Sequence, residues 1–309
     1  MARLERFLHE SYPSVSIRGW CRALLAGEIF VGGRRAAKGR PLSPGETISF
    51  SAELLTRLAP EKPRPEVSPL LEIVYQDDNL LAVNKPAACH THPLTGTETG
   101  TLANRLIAAF PELAGVGGFG PLQPGLLNRL DYGTSGVVLV GRNNDSWHAV
   151  RQQFVRHQVC KEYVAVVAGC FPGTTVVEKA LTHDGRDSRR MVITPPAKPC
   201  RGIYAARTEI FPLLYDAARD VSRVRLVMFS GVMHQLRVHL AAVGHPLAGD
   251  LLYGSESCAA EREKGSEAIS ANRFQLHCAK LILADGRVVE APLPPWFVDP
   301  DAIMTGVCP

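Results

Sequence analysis

Residues 59–69 read APEKPRPEVSP, and no other stretch constrains the organisation of the chain so strongly. Four prolines in eleven positions remove backbone donors and fix φ, so the segment can sit neither inside a helix nor in a central strand. It reads as an extended linker. With 309 residues, 46% of them hydrophobic, the chain has enough apolar material for a sizeable core on the long side of that linker. The expected organisation is a small domain over residues 1–58, the linker over 59–69 and a large domain over 70–300.

Charge divides at the same place. Residues 1–64 hold eleven Lys or Arg against six Asp or Glu, whereas the remainder holds twenty-three against twenty-four. The whole positive excess of a chain with net charge +4 therefore lies before or within the linker, as a separate module for an anionic partner would require; a solvated basic surface is the alternative. Leu4, Phe7 and Leu8 recur at helical spacing, and IRGWCRALLAGE forms a second amphipathic segment ending at Gly27. IFV, the Gly32-Gly33 turn and TISF then predict a hairpin. This order of RLERFL and GEIFVGGRRAAKGRPLSPGETI resembles the small RNA-binding module shared with a ribosomal protein of the small subunit, the S-four type. The resemblance implies that Arg18, Arg22, Arg34, Arg35 and Lys38 face folded RNA, a generic helix-hairpin packing domain being the other reading.

After the linker the pattern turns to strands. LEIVYQD, LLAVNKP, GVVLVGR, KEYVAVVAG, ARTEIF, SRVRLVMF and KLILADGRVVEAP are short, often alternating runs bounded by Gly, Pro, Asn and Asp. TLANRLIAAF, DSWHAVRQQFVRH and HQLRVHLAAVG are the helix candidates. Helices so few and so irregularly placed predict an α+β domain with a mainly antiparallel mixed sheet, since a doubly wound sheet alternates strand and helix.

Several patterns carry less than they suggest. GVGGFG at 115–120 fits GxGxxG, but it follows a helix rather than a strand, and Pro121 and Pro124 obstruct the helix that should carry a phosphate; it reads as a loop. His234, His239 and His245 do not share one helical face, and no carboxylate accompanies them in a metal-binding pattern, so no metal is expected. The eight cysteines form no CxxC pair, and free thiols in a reducing cytoplasm are expected. No apolar run approaches the ~20 residues of a membrane-spanning helix, and MARLERFLHE lacks the continuous apolar core of a secretory signal. No membrane partner is expected.

LNRLDYGTSG, residues 127–136, is different. The lone carboxylate of Asp131 precedes a turn of small residues through Gly133, Thr134, Ser135 and Gly136, where the backbone can approach a ligand and aim one side chain. The plain alternative is that Asp131 caps its own turn. Two later stretches bear on that choice: KEYVAVVAG at 161–169 and HQLRVHLAAVGHPLAGDLLYG at 234–254. With RLDxxTSG they occur in an order and spacing that resemble the RluA-type family of pseudouridine synthases. NKP at 84–86, His92-Pro93, SRRMV followed by AART, and RFQLHC at 273–278 fit the same family more weakly. The likeness spans about residues 70–297.

The resemblance implies roles. Asp131 matches the single essential aspartate, which acts on the ribose C1′ or the uracil ring while the glycosidic bond breaks and the base turns over. Tyr163 matches a tyrosine that stacks on the target base. Arg237 matches the arginine that pairs with the aspartate, and Leu236 an aliphatic residue of the pocket. Arg129 matches an arginine that fills the space left by a flipped nucleotide, while Asn128, Thr134 and His234 fall at substrate-facing positions. Asn128 stands where the family usually has His, and Val232 where it usually has Arg. The expectation is an isomerase acting on uridine in structured RNA, ribosomal RNA before transfer RNA, as a cytoplasmic monomer without cofactor. A catalytically weak RNA-binding protein on the same fold is the non-enzymatic alternative. Glycoside hydrolysis would need a second cooperating carboxylate, which the motif does not offer.

Overall fold

A computed structural model describes residues 3–59, 61–67, 71–194, 202–254 and 274–297. Pro60 and residues 68–70 of the proline-rich stretch, Arg273, Cys200, Cys258, Cys308 and residues 298–300 lie outside the described residues. Two compact units result, Met1–Lys62 and Pro63–Pro309.

The first unit begins with helices α1 (Leu4–Ser11) and α2 (Ile17–Leu25). Ser16 caps α2 by accepting from the Gly19 N–H at 3.1 Å, which satisfies one of the orphan donors of the first turn. Short strands β1 (Phe30–Val31), β2 (Arg34–Arg35) and β3 (Ile48–Ser49) pair antiparallel in the order β2-β1-β3. A third helix, α3 (Ala52–Leu58), extends the expected helix-hairpin; its seven residues are too short to show a clear apolar period in the sequence. Leu4, Leu8, Trp20, Ala23, Leu24 and Ile29 form its own core, and Trp20 stacks with Tyr12 and Phe50 at centroid distances of 5.8 and 5.4 Å.

The second unit runs β4 (Glu72–Gln76), β5 (Leu80–Lys85), α4 (Leu102–Ala109), β6 (Ser135–Gly141), α5 (Asn144–Val155), β7 (Cys160–Ala168), β8 (Thr175–Glu178), β9 (Leu181–His183), β10 (Met191–Ile193), β11 (Ile203–Tyr204), β12 (Arg207–Asp216), β13 (Val221–Met228), α6 (Gln235–Ala242), β14 (Leu276–Ile282) and β15 (Val288–Glu290). Nine strands form one sheet in the order β4-β5-β6-β14-β7-β13-β12-β8, with β15 paired to β14; β9, β10 and β11 form a small separate sheet. Every pair in the large sheet is antiparallel except β6 with β14. The domain is thus α+β, as expected.

The parallel pair depends on one glycine. Gly136 sits at φ +112°, and a Cβ there would lie 2.1 Å from the Cys278 carbonyl oxygen. Only glycine allows β14 to come so close to β6. Leu80–Val83 and Val137–Val140 are buried on both faces, which explains their unbroken apolar runs. Capping boxes start α4 (Thr101 with Asn104) and α5 (Asn143 with Ser146).

Three expectations need correction. The proline-rich stretch is not wholly a spacer. Asn104 donates to the Arg64 carbonyl at 2.8 Å, while Glu66 donates its N–H to the Asn104 carbonyl and accepts from Gly100, so residues 64–66 are bound to the second unit. Four short strands, β8 to β11, lie where the sequence shows little alternation. Cys21, Cys89, Cys160 and Cys278 are free, but Cys170 is held in a disulfide. Among the described residues no helix is long and apolar enough to cross a membrane.

Candidate active site

Asp131 lies on the loop that enters β6, and that loop is held from both sides. Thr91 Oγ1 donates to the Leu130 carbonyl at 2.8 Å and accepts the Leu130 N–H at 3.1 Å. Asn128 donates to the Val137 carbonyl (3.1 Å) and accepts the Leu139 N–H (2.8 Å), as a strand neighbour of β6 would. Asn128 lines the cavity, and its amide is bonded at both ends to β6, which positions the loop.

The capping alternative for Asp131 does not describe what is seen. The Thr134 N–H bonds to the main-chain carbonyl of Asp131 (3.1 Å), and the carboxylate makes no hydrogen bond among the described residues. It is part-exposed where two cavities meet. One, of about 620 Å³, is also lined by Asn128, Arg129, Thr134, Tyr163, His234, Leu236 and Arg237, so all eight residues singled out in the second unit converge on it. The other, of about 800 Å³, shares Arg129, Leu130, Asp131, His234 and Arg237 and adds His90, Tyr132 and Phe274. Both volumes are within the usual range for ligand sites.

A guanidinium and an imidazole approach the same carboxylate oxygen without touching it. Arg237 Nη1 is 3.7 Å from Asp131 Oδ2, and His234 Nε2 is 3.8 Å away. Arg237 is committed elsewhere: its Nε and Nη2 make a two-pronged bond to Asp250, both at 2.7 Å. Arg237 nevertheless keeps a long ion pair with Asp131, because the planar guanidinium satisfies Asp250 along one edge and presents the remaining nitrogen to Asp131. Asp250 is itself held by the N–H groups of Leu252 and Tyr253. Arg237 also lies over the rings of Tyr253 (5.0 Å) and Phe274 (4.5 Å). Burial works to lower its pKa, yet the bond to Asp250 and the charges of Asp250 and Asp131 raise it, so the cation persists.

His234 starts α6 in the left-handed region (φ 55°) and shares a 2.9 Å hydrogen bond between its Nδ1 and the Tyr253 hydroxyl. Burial lowers its pKa against the opposing pull of Asp131. Tyr163 is nearly fully buried on β7, opposite Leu226 and Cys278. Burial first, then the neighbouring Cys278 and Asp131, push its hydroxyl well above the ordinary range, so it works as a neutral ring with an intact O–H. Thr134 and Leu236 are buried, whereas Arg129 is exposed.

Sequence reasoning missed Asp250, although it lies within the quoted HPLAGDLLYG, because nothing local distinguishes it from a turn residue. It also missed Lys85 of the NKP stretch. Lys85 is fully buried and donates to the carbonyls of Pro86 (2.9 Å) and Cys89 (2.7 Å). Burial pulls it down to about 8, with Cys89 and then Asp131 acting the other way. Val232 packs against the cluster of Leu181, Met191, Ala206 and Val238, which explains an apolar residue where the resemblance expects arginine. His239 is buried and bonded to Thr208 and the Lys179 carbonyl, and His245 bonds to the Ala168 carbonyl, so both are structural.

In the first unit Arg18, Arg22, Arg34, Arg35 and Lys38 are all exposed, and among the described residues none is in an ion pair.

Comparison with known proteins agrees with this geometry. A family model described as RNA pseudouridylate synthase matches residues 79–242. An uncharacterised RNA pseudouridine synthase of Chloroflexus aurantiacus is 34% identical over 254 residues, covering 82% of this chain and 75% of that protein. The ribosomal large subunit pseudouridine synthase D of Escherichia coli O157:H7 is 29% identical over 256 residues, covering 82% and 72%. Among solved structures, human RNA pseudouridylate synthase domain containing 1 is similar with a TM-score of 0.57 at 30% identity, over 75% of this chain and 87% of that one. A matched segment that spans more than half the chain and carries Asp131, Tyr163 and Arg237 into one cavity leads to a single conclusion: the chain belongs to the RNA pseudouridine synthase family.

Proposed function

We propose that this protein converts chosen uridines of a structured RNA to pseudouridine with Asp131 as the essential group, and that ribosomal RNA is the substrate class. The observation that carries the reading is the Asp131 carboxylate, free of hydrogen bonds among the described residues, at the junction of two cavities and faced by Arg237 and His234. Relatives named for the large ribosomal subunit favour ribosomal over transfer RNA.

The reaction is an isomerisation. The N1–C1′ bond breaks, the base turns, a C5–C1′ bond forms, and the C5 proton is released while N1 gains one, so no net redox partner is needed. A uridine must first leave its stack, at a cost of a few kcal/mol. Arg129, exposed at the rim, is suited to take the vacated space, and the buried ring of Tyr163 to hold the face of the base. Thr134 and Leu236 shape the walls. Arg237, fixed by Asp250, presents a positive charge to whichever form of Asp131 carries the negative one. The five exposed cations of the first unit supply the contacts to RNA phosphate. The protein acts as a cytoplasmic monomer in this reading.

RNA labelled with tritium at uridine C5 tests it directly. Wild-type protein should release tritium, and mapping pseudouridines in cells with and without the protein should name the target. Asp131→Asn should lower release by a factor on the order of 10³ or more with the circular-dichroism spectrum unchanged. Release by the variant within a few-fold of wild type would remove Asp131 from the mechanism. No release by wild type on any RNA would favour a binding protein on a synthase fold.

A further inference from the structure

The GVGGFG loop, which sequence reading set aside as a failed phosphate motif, forms part of the wall of the Asp131 cavity. Gly117 and Gly118 pack flat on the Trp147 indole of α5: a Cβ on Gly117, at φ +95°, would lie 2.9 Å from Trp147 Nε1, and one on Gly118 3.2 Å from its Cη2. The Gly117 N–H is held by Asn144 Oδ1 at 2.9 Å, and Trp147 Nε1 donates to the Leu126 carbonyl at 2.9 Å. The loop is therefore built to one shape, and what it presents is Phe119. That ring meets Trp147 edge-on at 5.3 Å but remains 41% exposed on the cavity side of the molecule, where it lines the same space as Asp131.

Arg151, one turn after Trp147 on α5, lies over the Phe119 ring at 4.6 Å and also lines the cavity. Among the described residues it has neither a hydrogen-bond nor an ion-pair partner, although it is only part-exposed. A stacked ring with an uncommitted guanidinium is the combination that takes a nucleobase by its face and a phosphate by its charge. The lining as a whole agrees, since among the described residues Arg129, Arg151, Lys161 and Arg237 accompany Asp131 as the only carboxylate.

We infer that Phe119 and Arg151 form a subsite for the nucleotide next to the target uridine, the base stacking on the Phe119–Arg151 platform and its phosphate meeting the guanidinium. The inference rests on the reading that this cavity receives a uridine from RNA. It makes the platform a specificity element: the flanking base is held while the uridine reaches Asp131. Stacking tolerates any base face, so the subsite selects for the presence of an unpaired, stackable neighbour rather than for one sequence.

The test uses full-length protein and the RNA fragment around the uridine that the cellular mapping identifies, made either intact or with an abasic residue at the position before or after that uridine. Binding and single-turnover tritium release are measured for wild type, Phe119→Ala, Phe119→Tyr and Arg151→Met. Phe119→Ala should weaken binding of intact RNA about 5- to 100-fold. Phe119→Tyr should stay within a few-fold of wild type, and the saturated rate of both should be nearly unchanged. The abasic flank should weaken wild-type binding by a similar factor and cost the Phe119→Ala protein almost nothing further, since the two losses remove the same stack. Arg151→Met should weaken binding and reduce its salt dependence. Equal, additive losses from the abasic flank in wild type and Phe119→Ala would overturn the inference, as would unchanged binding by Phe119→Ala. In either case wild-type tritium release would leave the catalytic reading standing; absence of that release is the separate failure of the function itself.

Discussion

Asp131 is useful because so little is done to it. A carboxylate in a protein usually spends its oxygens on backbone donors or a close cation, whereas this one meets Arg237 and His234 only at 3.7 and 3.8 Å. The close pair is the buried one behind it, Arg237 with Asp250. Arg237→Met therefore does more than remove a charge from the site: it strands Asp250, 2% exposed, without its partner. We expect Arg237→Met to lose about 3–5 kcal/mol of stability in urea unfolding. The double variant Arg237→Met/Asp250→Asn should recover part of that stability but none of the tritium release. A double variant no more stable than Arg237→Met alone would show that stranding of Asp250 is not the cause.

At the scale of elements, the junction of β6 with β14 carries the most consequence. Gly136→Ala should cost on the order of 4 kcal/mol or prevent folding, because the added methyl meets the β14 backbone and the φ of +112° disfavours any side chain. Soluble Gly136→Ala protein with a wild-type urea midpoint would refute this. The neighbouring pair of residues makes the same junction sensitive to acid. His277 is buried, shares a 2.8 Å hydrogen bond between Nδ1 and Ser135 Oγ, and has no partner at Nε2 among the described residues. Burial pulls it down to about 4, and His92, through burial and then the Arg129 charge, also to about 4. An unfolded chain binds these protons near pH 6.5, so between about 6.5 and 4 the unfolded state holds more of them and acid favours it. These two histidines leave stability level from pH 7 to about 8, where the buried Lys85 begins to lose its proton, and lower it as pH drops toward 4. His277→Gln should flatten that fall by up to about 3 kcal/mol, read as urea midpoints at pH 7, 5.5 and 4.5.

For the whole molecule, the division after Lys62 decides where to cut. Each unit has its own apolar core, and Arg64 and Glu66 are bound to the second unit. Protein lacking residues 1–62 should fold, and its saturated single-turnover rate should survive, with the loss confined mainly to affinity. Its dependence of log K on log salt should be shallower by about 0.7–0.9 for each phosphate contact removed. An unchanged slope would show that Arg18, Arg22, Arg34, Arg35 and Lys38 do not meet RNA. A collapse of the saturated rate would show that the first unit helps to form the catalytic state.

How much of this was legible in the chain follows from the range of each interaction. Local patterns reach as far as one element, and there the reading succeeds: LLAVNK, SGVVLVG and CKEYVAVVA are strands, and the three helix candidates TLANRLIAAF, DSWHAVRQQFVRH and HQLRVHLAAVG hold α4, α5 and α6. The three ordered motifs around Asp131, Tyr163 and Arg237 were enough to indicate the family and the eight cavity residues. Strands of two to four residues such as β8, β10 and β11 escaped because so short a run has no measurable period. Neighbourhood was decided only in three dimensions. β14 comes near the end of the chain, yet it inserts between β6 and β7 and so carries the Tyr163 strand alongside the Asp131 loop. The same holds for Arg237 and Asp250, thirteen residues apart and joined only once α6 and the following turn are packed, and for Phe119 beneath Arg151. Periodicity tells which face of an element is buried; which other element covers that face is settled by packing and backbone pairing among segments distant in the chain, and in this protein that choice places the charge beside Asp131.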